Sequence, residues 1–403
     1  MEPRTAATVP EIRDVSRSLS AAAWLPRKLS GPASASLDVM RAVAACAVMF
    51  GHLRTLFFVD FQHLGSRSRP LEVLYFLTGF GHQSVMVFFV LSGFLISSTV
   101  IRSHILGEWS WRDYAINRAT RLYVVLVPGL LLGFFWDRLG SALFAPKGLY
   151  VQPILDLGSA VPLQNLTLGN FFGNLIFLQT ILCKTFGSNG PLWSLANEFW
   201  YYVLFPVALA AGVAWAGKRI LSALLLTCLA VAVCLFIGSG ILIGFVIWLA
   251  GCGLVFLYSK FQLRSNIAIF ASTLFTILLL GWALFASREA LENPLLSDLT
   301  VGFAFAAFLF AALQAAVGED SRQYSVIAGE FAGFSYSLYV LHFPFLLFLR
   351  AWLVPPERWQ PTAAHLAGAG LAGATALVFA WLVSLFTERK TSVARRWVKR
   401  LVA

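Results

Sequence analysis

The amino-acid sequence predicts an all-α polytopic membrane protein with about ten transmembrane helices and both termini in the cytoplasm. Hydrophobic residues make up 59% of the 403 residues, charged residues make up 12%, and the mean hydropathy is +0.76. Soluble domains contain about 25% charged residues, so this chain lacks the polar surface that water requires. Apolar runs of about twenty residues, the length of a membrane-spanning helix, recur from Leu37 to Phe386.

The apolar runs place the predicted spans, and the charges between them predict the orientation. Spans are expected at residues 37–59, 84–101, 122–144, 192–214, 219–237, 239–258, 265–286, 298–317, 331–353 and 363–386. With a cytoplasmic N-terminus, 20 of the 30 Lys and Arg residues fall in cytoplasmic segments and six in outer segments, in agreement with the positive-inside rule. Residues 1–36 are then a mobile cytoplasmic tail, residues 37–386 the membrane domain, and residues 387–403 a basic cytoplasmic tail.

Composition also excludes several classes of function. The net charge of +11 is explained by membrane topology, so we expect no nucleic-acid partner. The five cysteines form no disulfide pattern, and no Cys/His cluster has the spacing of a zinc site, so no metal site is predicted. The long outer connection at about residues 145–191 contains GNFFGNLIFLQTIL, which is too short for a span and predicts a re-entrant or interfacial segment.

The first span, which contains DVMRAVAACAVMFGH, carries two ionisable residues that a lipid-facing helix would not need. Arg41 and His52 are eleven residues apart, which places both on one helix face about 16 Å apart along the axis. Intramembrane ionisable residues usually face protein or a water-filled cavity, and a neutral histidine can accept a proton near pH 7. For the pair taken alone, a structural histidine with an arginine that reaches toward the headgroups is the favoured explanation, and the other stretches change this balance.

Two further stretches carry charge at span boundaries. In INRATRLYVVLVP, Arg118 and Arg121 share one helix face, and two guanidinium groups in this arrangement suit phosphate oxygens. Positive-inside anchoring is the alternative for this pair.

In NGPLWSLANEFWYY, Glu198 lies among aromatic residues, with Trp193 and Ser194 just before it. A carboxylate in such surroundings must be paired or protonated, and it can orient an imidazole, bind sugar hydroxyls or form a structural ion pair with an arginine.

The ninth predicted span contains FSYSLYVLH, in which several polar residues interrupt the apolar pattern. Tyr336 and its serine and tyrosine neighbours are expected to form interhelical hydrogen bonds. His342 is equally consistent with a structural role and with a place in the site.

In combination these stretches resemble the acyltransferase 3 family of integral-membrane acyltransferases, over about residues 34 to 386. The matching features are an arginine followed eleven positions later by a histidine, FFVLSGFLI at residues 88–96, the R-x-x-R pair, WSL-x-x-E at residues 193–198, and SYSLYVLH at residues 335–342. Family members often have an acidic residue just before the double phenylalanine, and residues 81–87, GHQSVMV, contain none.

The resemblance implies an acyl-CoA-dependent O-acyltransferase of the bacterial inner membrane that modifies a carbohydrate or a lipid-linked glycan. Acetyl-CoA is then a co-substrate, and no tightly bound cofactor is expected. Arg41, Arg118 and Arg121 would bind the CoA phosphates, and His52 would act as general base or acyl carrier with Glu198 as the second catalytic group. Trp193, Ser194, Tyr336 and His342 would line the cavity or contact the acceptor.

A transporter or flippase for a glycan or lipid-linked sugar is the alternative function. It explains intramembrane charges and aromatic residues equally well, but it does not require the R-x-x-R pair. The sequence leaves open the acceptor, the acyl chain length, the membrane face from which the acceptor enters, and the oligomeric state.

Overall fold

The computed structural model describes residues 25–154, 161–289, 293–316 and 322–402. Most of the predicted N-terminal tail, residues 1–24, lies outside the described residues. About 80% of the described chain is helical and it contains no strand, which confirms the prediction of an all-α protein. The helices are α1 (Gly31–Phe57), α2 (Arg69–Leu77), α3 (Gly81–Ile105), α4 (Trp111–Leu143), α5 (Pro162–Asn165), α6 (Leu168–Leu175), α7 (Leu192–Ala216), α8 (Ile220–Lys260), α9 (Asn266–Glu289), α10 (Pro294–Ala315), α11 (Arg322–Ala332), α12 (Ser335–Leu353), α13 (Ala363–Phe386) and α14 (Thr391–Val402).

Among the described residues, nine helices are long and apolar enough to cross a membrane. One of them, α8, contains 41 residues and is interrupted at Gly238, where the backbone adopts φ 75° and ψ 173°. A straight helix of that length would measure about 60 Å, twice the hydrocarbon thickness of a bilayer. The break at Gly238 coincides with the predicted boundary between the fifth and sixth spans, so α8 accounts for two of the ten predicted crossings.

Helix ends that were predicted to lie in the cytoplasm meet on one face of the bundle, which we call the inner face. The Arg27 amide donates to Ser259 Oγ (3.2 Å), and Ser30 Oγ donates to the Ala316 carbonyl (3.1 Å). The start of α1 therefore contacts the ends of α8 and α10. Ser30 also caps α1 by accepting from the Ala33 amide, with Pro32 in the first turn, which explains why α1 begins six residues before the predicted span.

The opposite face, called the outer face below, joins the end of α1 to the loop between α12 and α13. The Val59 and Trp359 amides each donate across this contact, to the Trp359 and Phe57 carbonyls respectively. Arg358 forms an ion pair with Asp60 at 2.6 Å. In the long connection before α7, the described residues contain a 3₁₀ turn at Ala145–Lys147 and the short helices α5 and α6, and Phe177 between α6 and α7 is fully buried. The segment that was predicted to be re-entrant or interfacial thus forms short helices and does not span the bundle.

Helix α12 lies at the centre of the bundle, and the C-terminal residues return to the inner face. Nearly every side chain of α12 from Ser335 to Ala351 is buried, whereas α9 exposes large apolar side chains such as Ile267 and Phe270 to the lipid region. The predicted basic tail, residues 387–403, contains a 3₁₀ turn at Glu388–Lys390 and the amphipathic helix α14.

Close packing of α3 against α8 depends on glycine, because the two backbones touch. A Cβ atom added at Gly251 would lie 2.1 Å from the Val90 carbonyl oxygen, whereas one added at Gly253 meets nothing within 4 Å. We expect Gly251→Ala to lower the free energy of unfolding by about 1–3 kcal/mol through overpacking. Gly253→Ala in the same helix is the control and should be neutral or slightly stabilising. Thermal unfolding in detergent micelles measures both, and equal midpoints would contradict this packing.

Candidate active site

Six helices enclose a cavity of about 340 Å³ that begins at the inner face. Helices α1, α3, α4, α7, α12 and α14 all contribute side chains to its wall. Six of the residues predicted for the site line it, namely Arg41, Arg118, Arg121, Ser194, Glu198 and Tyr336. His52, His342 and Trp193 are not part of this wall.

Arginine side chains dominate the inner part of the cavity. Arg41, Arg118 and Arg121 are joined there by Arg395 from α14, which was not predicted as a site residue. Arg41 pairs with Asp38 one turn earlier in α1, and Arg121 pairs with Glu388 at 3.2 Å. The inner part of the cavity is therefore positively charged, and in the described part of the chain the ion pairs with Asp38 and Glu388 balance part of that charge.

Arg118 differs from its neighbour Arg121 in its partners. The described residues contain no carboxylate within 4 Å of Arg118, and its guanidinium group lies over the rings of Tyr114 (5.9 Å) and Tyr202 (5.8 Å). Aromatic faces hold a guanidinium group without neutralising its charge. Arg118 therefore keeps its hydrogen-bonding edge for an anion.

Glu198 faces the same cavity and is held by a tyrosine. Its Oε1 accepts a hydrogen bond from the Tyr202 hydroxyl, which also lies 3.4 Å from Ser92 Oγ. Trp248 Nε1 donates to the same Ser92 Oγ at 3.2 Å. No arginine lies within ion-pair distance of Glu198 among the described residues, so the sequence-based alternative of a structural ion pair is not what the structure contains there.

Tyr339 closes the far end of the cavity. Its hydroxyl lies 2.9 Å from the Pro191 carbonyl, which can only accept, and 2.6 Å from Ser194 Oγ. Tyr339 thus donates to Pro191 and accepts from Ser194. Its neighbour Tyr336 lies under the Arg121 guanidinium group and donates to the Leu122 carbonyl at 3.2 Å.

Beyond Tyr339 lie the two predicted histidines, which form a hydrogen-bonded pair. His52 Nδ1 lies 2.9 Å from His342 Nε2, and the two rings are nearly parallel at 14°. His342 is fully buried and His52 is half-buried. The ring centroids of Tyr339 and His342 are 6.0 Å apart, so Tyr339 connects the wall of the cavity to the pair.

The surroundings of His342 determine the tautomer of each ring. His342 Nδ1 lies 2.9 Å from the Leu338 carbonyl and 2.8 Å from the Tyr339 carbonyl, so this nitrogen must carry the proton. In the neutral ring Nε2 is then an acceptor, and His52 Nδ1 donates to it. The remaining nitrogen, His52 Nε2, therefore carries a lone pair. This arrangement is the one a general base requires.

Trp193 lies next to the cavity rather than in its wall. Its ring stacks on His82 with centroids 5.9 Å apart and meets Phe89, a wall residue, edge to face at 6.3 Å. His82 Nε2 in turn contacts Asp298 Oδ1 at 2.8 Å. Trp193 thus supports the wall from behind.

Sequence reasoning missed two residues of the site, Arg395 and Glu388. Both lie after the last predicted span in TERKTSVARR, where basic residues are explained by membrane topology. The one acidic residue of this stretch, Glu388, was the feature of the sequence that could have indicated a buried contact there. Glu388 is 3% exposed at its side chain, and its Oε2 accepts from the Ser337 amide (2.9 Å) and the Ser337 hydroxyl (3.0 Å).

Glu388 should therefore contribute to stability through buried contacts. We expect Glu388→Ala to lower the free energy of unfolding by about 2–3 kcal/mol, because Arg121 and the Ser337 amide lose their partner. The control is Glu330→Ala, which removes the exposed ion pair with Arg389 and should cost less than about 1 kcal/mol. Denaturant unfolding in detergent measures the difference, and equal losses would contradict the structural role of Glu388.

Comparison with known proteins supports an acyltransferase. The family model of the acyltransferase domain of the acyltransferase 3 family matches residues 34–385. The chain is 28% identical over 173 residues to an "O-acetyl transferase" of Shigella phage Sf6, covering 43% of this chain and 45% of the relative. It is 27% identical over 184 residues to "Nodulation protein 10" of Rhizobium leguminosarum bv. viciae, covering 45% of each.

The matched regions span less than half the length of these curated relatives. No solved structure matches the chain. The family match, in contrast, extends from the beginning of α1 to the end of α13 and includes every predicted site residue. This chain belongs to the acyltransferase 3 family.

Proposed function

We propose that this protein transfers an acyl group, most simply acetyl, from acyl-CoA to a sugar hydroxyl of a cell-surface or exported glycan. The observation that carries the proposal is the pairing of a cationic cavity at the inner face with a histidine pair beyond its far end. The bacterial inner membrane is the location that such a donor and acceptor require, because acyl-CoA is cytosolic and the glycan is exported.

In the proposed reaction the donor binds from the inner face. The guanidinium groups of Arg41, Arg118 and Arg121 hold the CoA phosphates, with the bidentate geometry that arginine offers to phosphate. Arg41 and His52 are about 16 Å apart along α1, and an extended pantetheine arm reaches about 20 Å. The thioester then passes Tyr339, which separates the cavity from the histidine pair.

His52 Nε2 takes the proton from the acceptor hydroxyl as the hydroxyl oxygen attacks the thioester carbonyl. The new C–O bond forms and the C–S bond breaks, and the proton passes from His52 to the departing CoA sulfur. His342 accepts the His52 Nδ1 hydrogen bond throughout and stabilises the imidazolium that forms. The same lone pair also permits direct attack on the thioester, in which case His52 carries the acyl group between two half-reactions.

The acceptor would approach from the outer face. A second cavity of about 740 Å³ opens there, and its wall includes Arg54, two residues beyond His52. Its lining combines charged and aromatic residues, including Asp60, Glu72, Tyr75 and Phe76. Carboxylates and guanidinium groups bind sugar hydroxyls, and aromatic rings pack against the apolar faces of a sugar. These properties support a carbohydrate acceptor.

Release of free CoA from acetyl-CoA by the purified protein, in the presence of a glycan acceptor, tests the function directly. We expect His52→Ala to lower turnover by about 10²- to 10⁴-fold, because the reaction loses its general base. CoA affinity should remain at the wild-type value and serves as the control, and turnover is normalised to folded protein because the buried His342 loses a hydrogen-bond partner in this variant. Turnover that is unchanged in this variant would remove His52 from the mechanism.

The role of His342 is tested by comparing two substitutions. We expect His342→Ala to lower kcat by about 10- to 100-fold with little change in KM for acetyl-CoA, because His52 loses the acceptor that orients it. His342→Gln should retain more activity, since its amide oxygen can accept near the position of Nε2. Equal kcat values for the two variants, after normalisation for folded protein, would contradict this positioning role.

A further inference from the structure

The C-terminal segment, residues 388–402, is fixed at both of its ends. At its beginning Glu388 binds the start of α12 through Ser337, as described above. At its end Lys399 forms an ion pair with Asp113 of α4, and Arg112 donates to the Val402 carbonyl. Helix α14 is therefore held across the inner end of α4, the helix that carries Arg118 and Arg121.

These attachments place Arg395 in the cavity wall beside the three arginines that were predicted from the sequence. The next residue, Arg396, is exposed and is not part of the cavity wall. The Nε atoms of Arg41, Arg118 and Arg395 are buried and have no hydrogen-bond partner among the described residues. Buried donors of this kind are costly unless a ligand satisfies them.

The four arginines also differ in their counter-charges. Asp38 neutralises Arg41 and Glu388 neutralises Arg121, whereas neither Arg118 nor Arg395 has a carboxylate within ion-pair distance in the described part of the chain. Mutual repulsion of the guanidinium groups opposes this arrangement unless an anion occupies the space between them. The arrangement thus favours a ligand with several phosphate groups.

We propose that the C-terminal segment is part of the donor site, and that Arg395 together with Arg118 binds phosphate groups of the nucleotide end of acyl-CoA. This inference rests on the proposed function and extends it to a helix outside the membrane domain predicted from the sequence. CoA carries three phosphate groups at its nucleotide end, and its pantetheine arm carries none, so only the nucleotide end interacts with Arg395. Phosphate of a lipid headgroup is the other source of the same chemistry for a basic amphipathic helix.

Arg395→Gln and Arg396→Gln form a matched pair for the experiment, because both remove one positive charge from α14 and keep most of the side chain. Titration calorimetry with CoA, in neutral detergent without anionic lipid, should show affinity about tenfold weaker for Arg395→Gln and within twofold of wild type for Arg396→Gln. KM for acetyl-CoA should rise in the same proportion. Turnover of S-acetyl-pantetheine, which lacks the nucleotide, should remain at the wild-type value in both variants.

Three outcomes would overturn the inference. Wild-type CoA affinity in Arg395→Gln would exclude a phosphate contact, and equal losses with S-acetyl-pantetheine would assign Arg395 to helix packing. If Arg395→Gln weakened only the binding of vesicles that contain anionic lipid, Arg395 would be assigned to contact with a lipid headgroup. In each of these cases the wild-type protein still consumes acetyl-CoA, whereas a wild-type protein that neither binds CoA nor consumes acetyl-CoA would refute the proposed function and this inference together.

Discussion

Every polar group buried in hydrocarbon needs a partner, and helix α12 shows how strongly this constraint shapes the protein. Ser337 binds the Glu388 carboxylate, Tyr339 binds the loop before α7, His342 binds α1 through His52, and Arg350 donates to three carbonyl groups at residues 354–356. These bonds lead to different parts of the chain. The contacts that satisfy one central helix therefore also determine where α1, the start of α7 and the C-terminal segment lie, and they assemble the cavity and the histidine pair.

The periodic and compositional features of the fold were predictable from the sequence. Runs of apolar residues predict the spans, the charge distribution predicts the orientation, and eleven-residue spacing predicts that Arg41 and His52 share one helix face. The partners of those residues were not predictable, because they depend on contacts between distant parts of the chain. His52 and His342 are 290 positions apart. Nothing in the local pattern of either histidine distinguishes a pair of rings from two separate structural histidines.

Arg395 illustrates a different limit of sequence reasoning. Basic residues after a last span are expected from membrane topology alone, and five neighbouring basic side chains in residues 389–399 look alike in the sequence. Their environments differ because α14 is attached at both ends, which directs one face of the helix toward the cavity and the other toward solvent. Arg395 lies in the cavity wall and Arg396 is exposed because of how α14 is attached to the bundle, and not because of the local composition.

The position of Tyr339 has a consequence for the proposed reaction. Donor and acceptor would approach from opposite faces, so an open passage between them would also admit water to the thioester. Tyr339 lies where such a passage would run, and its hydrogen bonds to Pro191 and Ser194 join α12 to α7 at this point. In the proposed reaction the acyl group would have to displace the ring to reach His52, and that displacement would break these two bonds. The wall would therefore open only when the binding of the donor supplies the free energy, which keeps the passage between the two faces closed when no donor is bound.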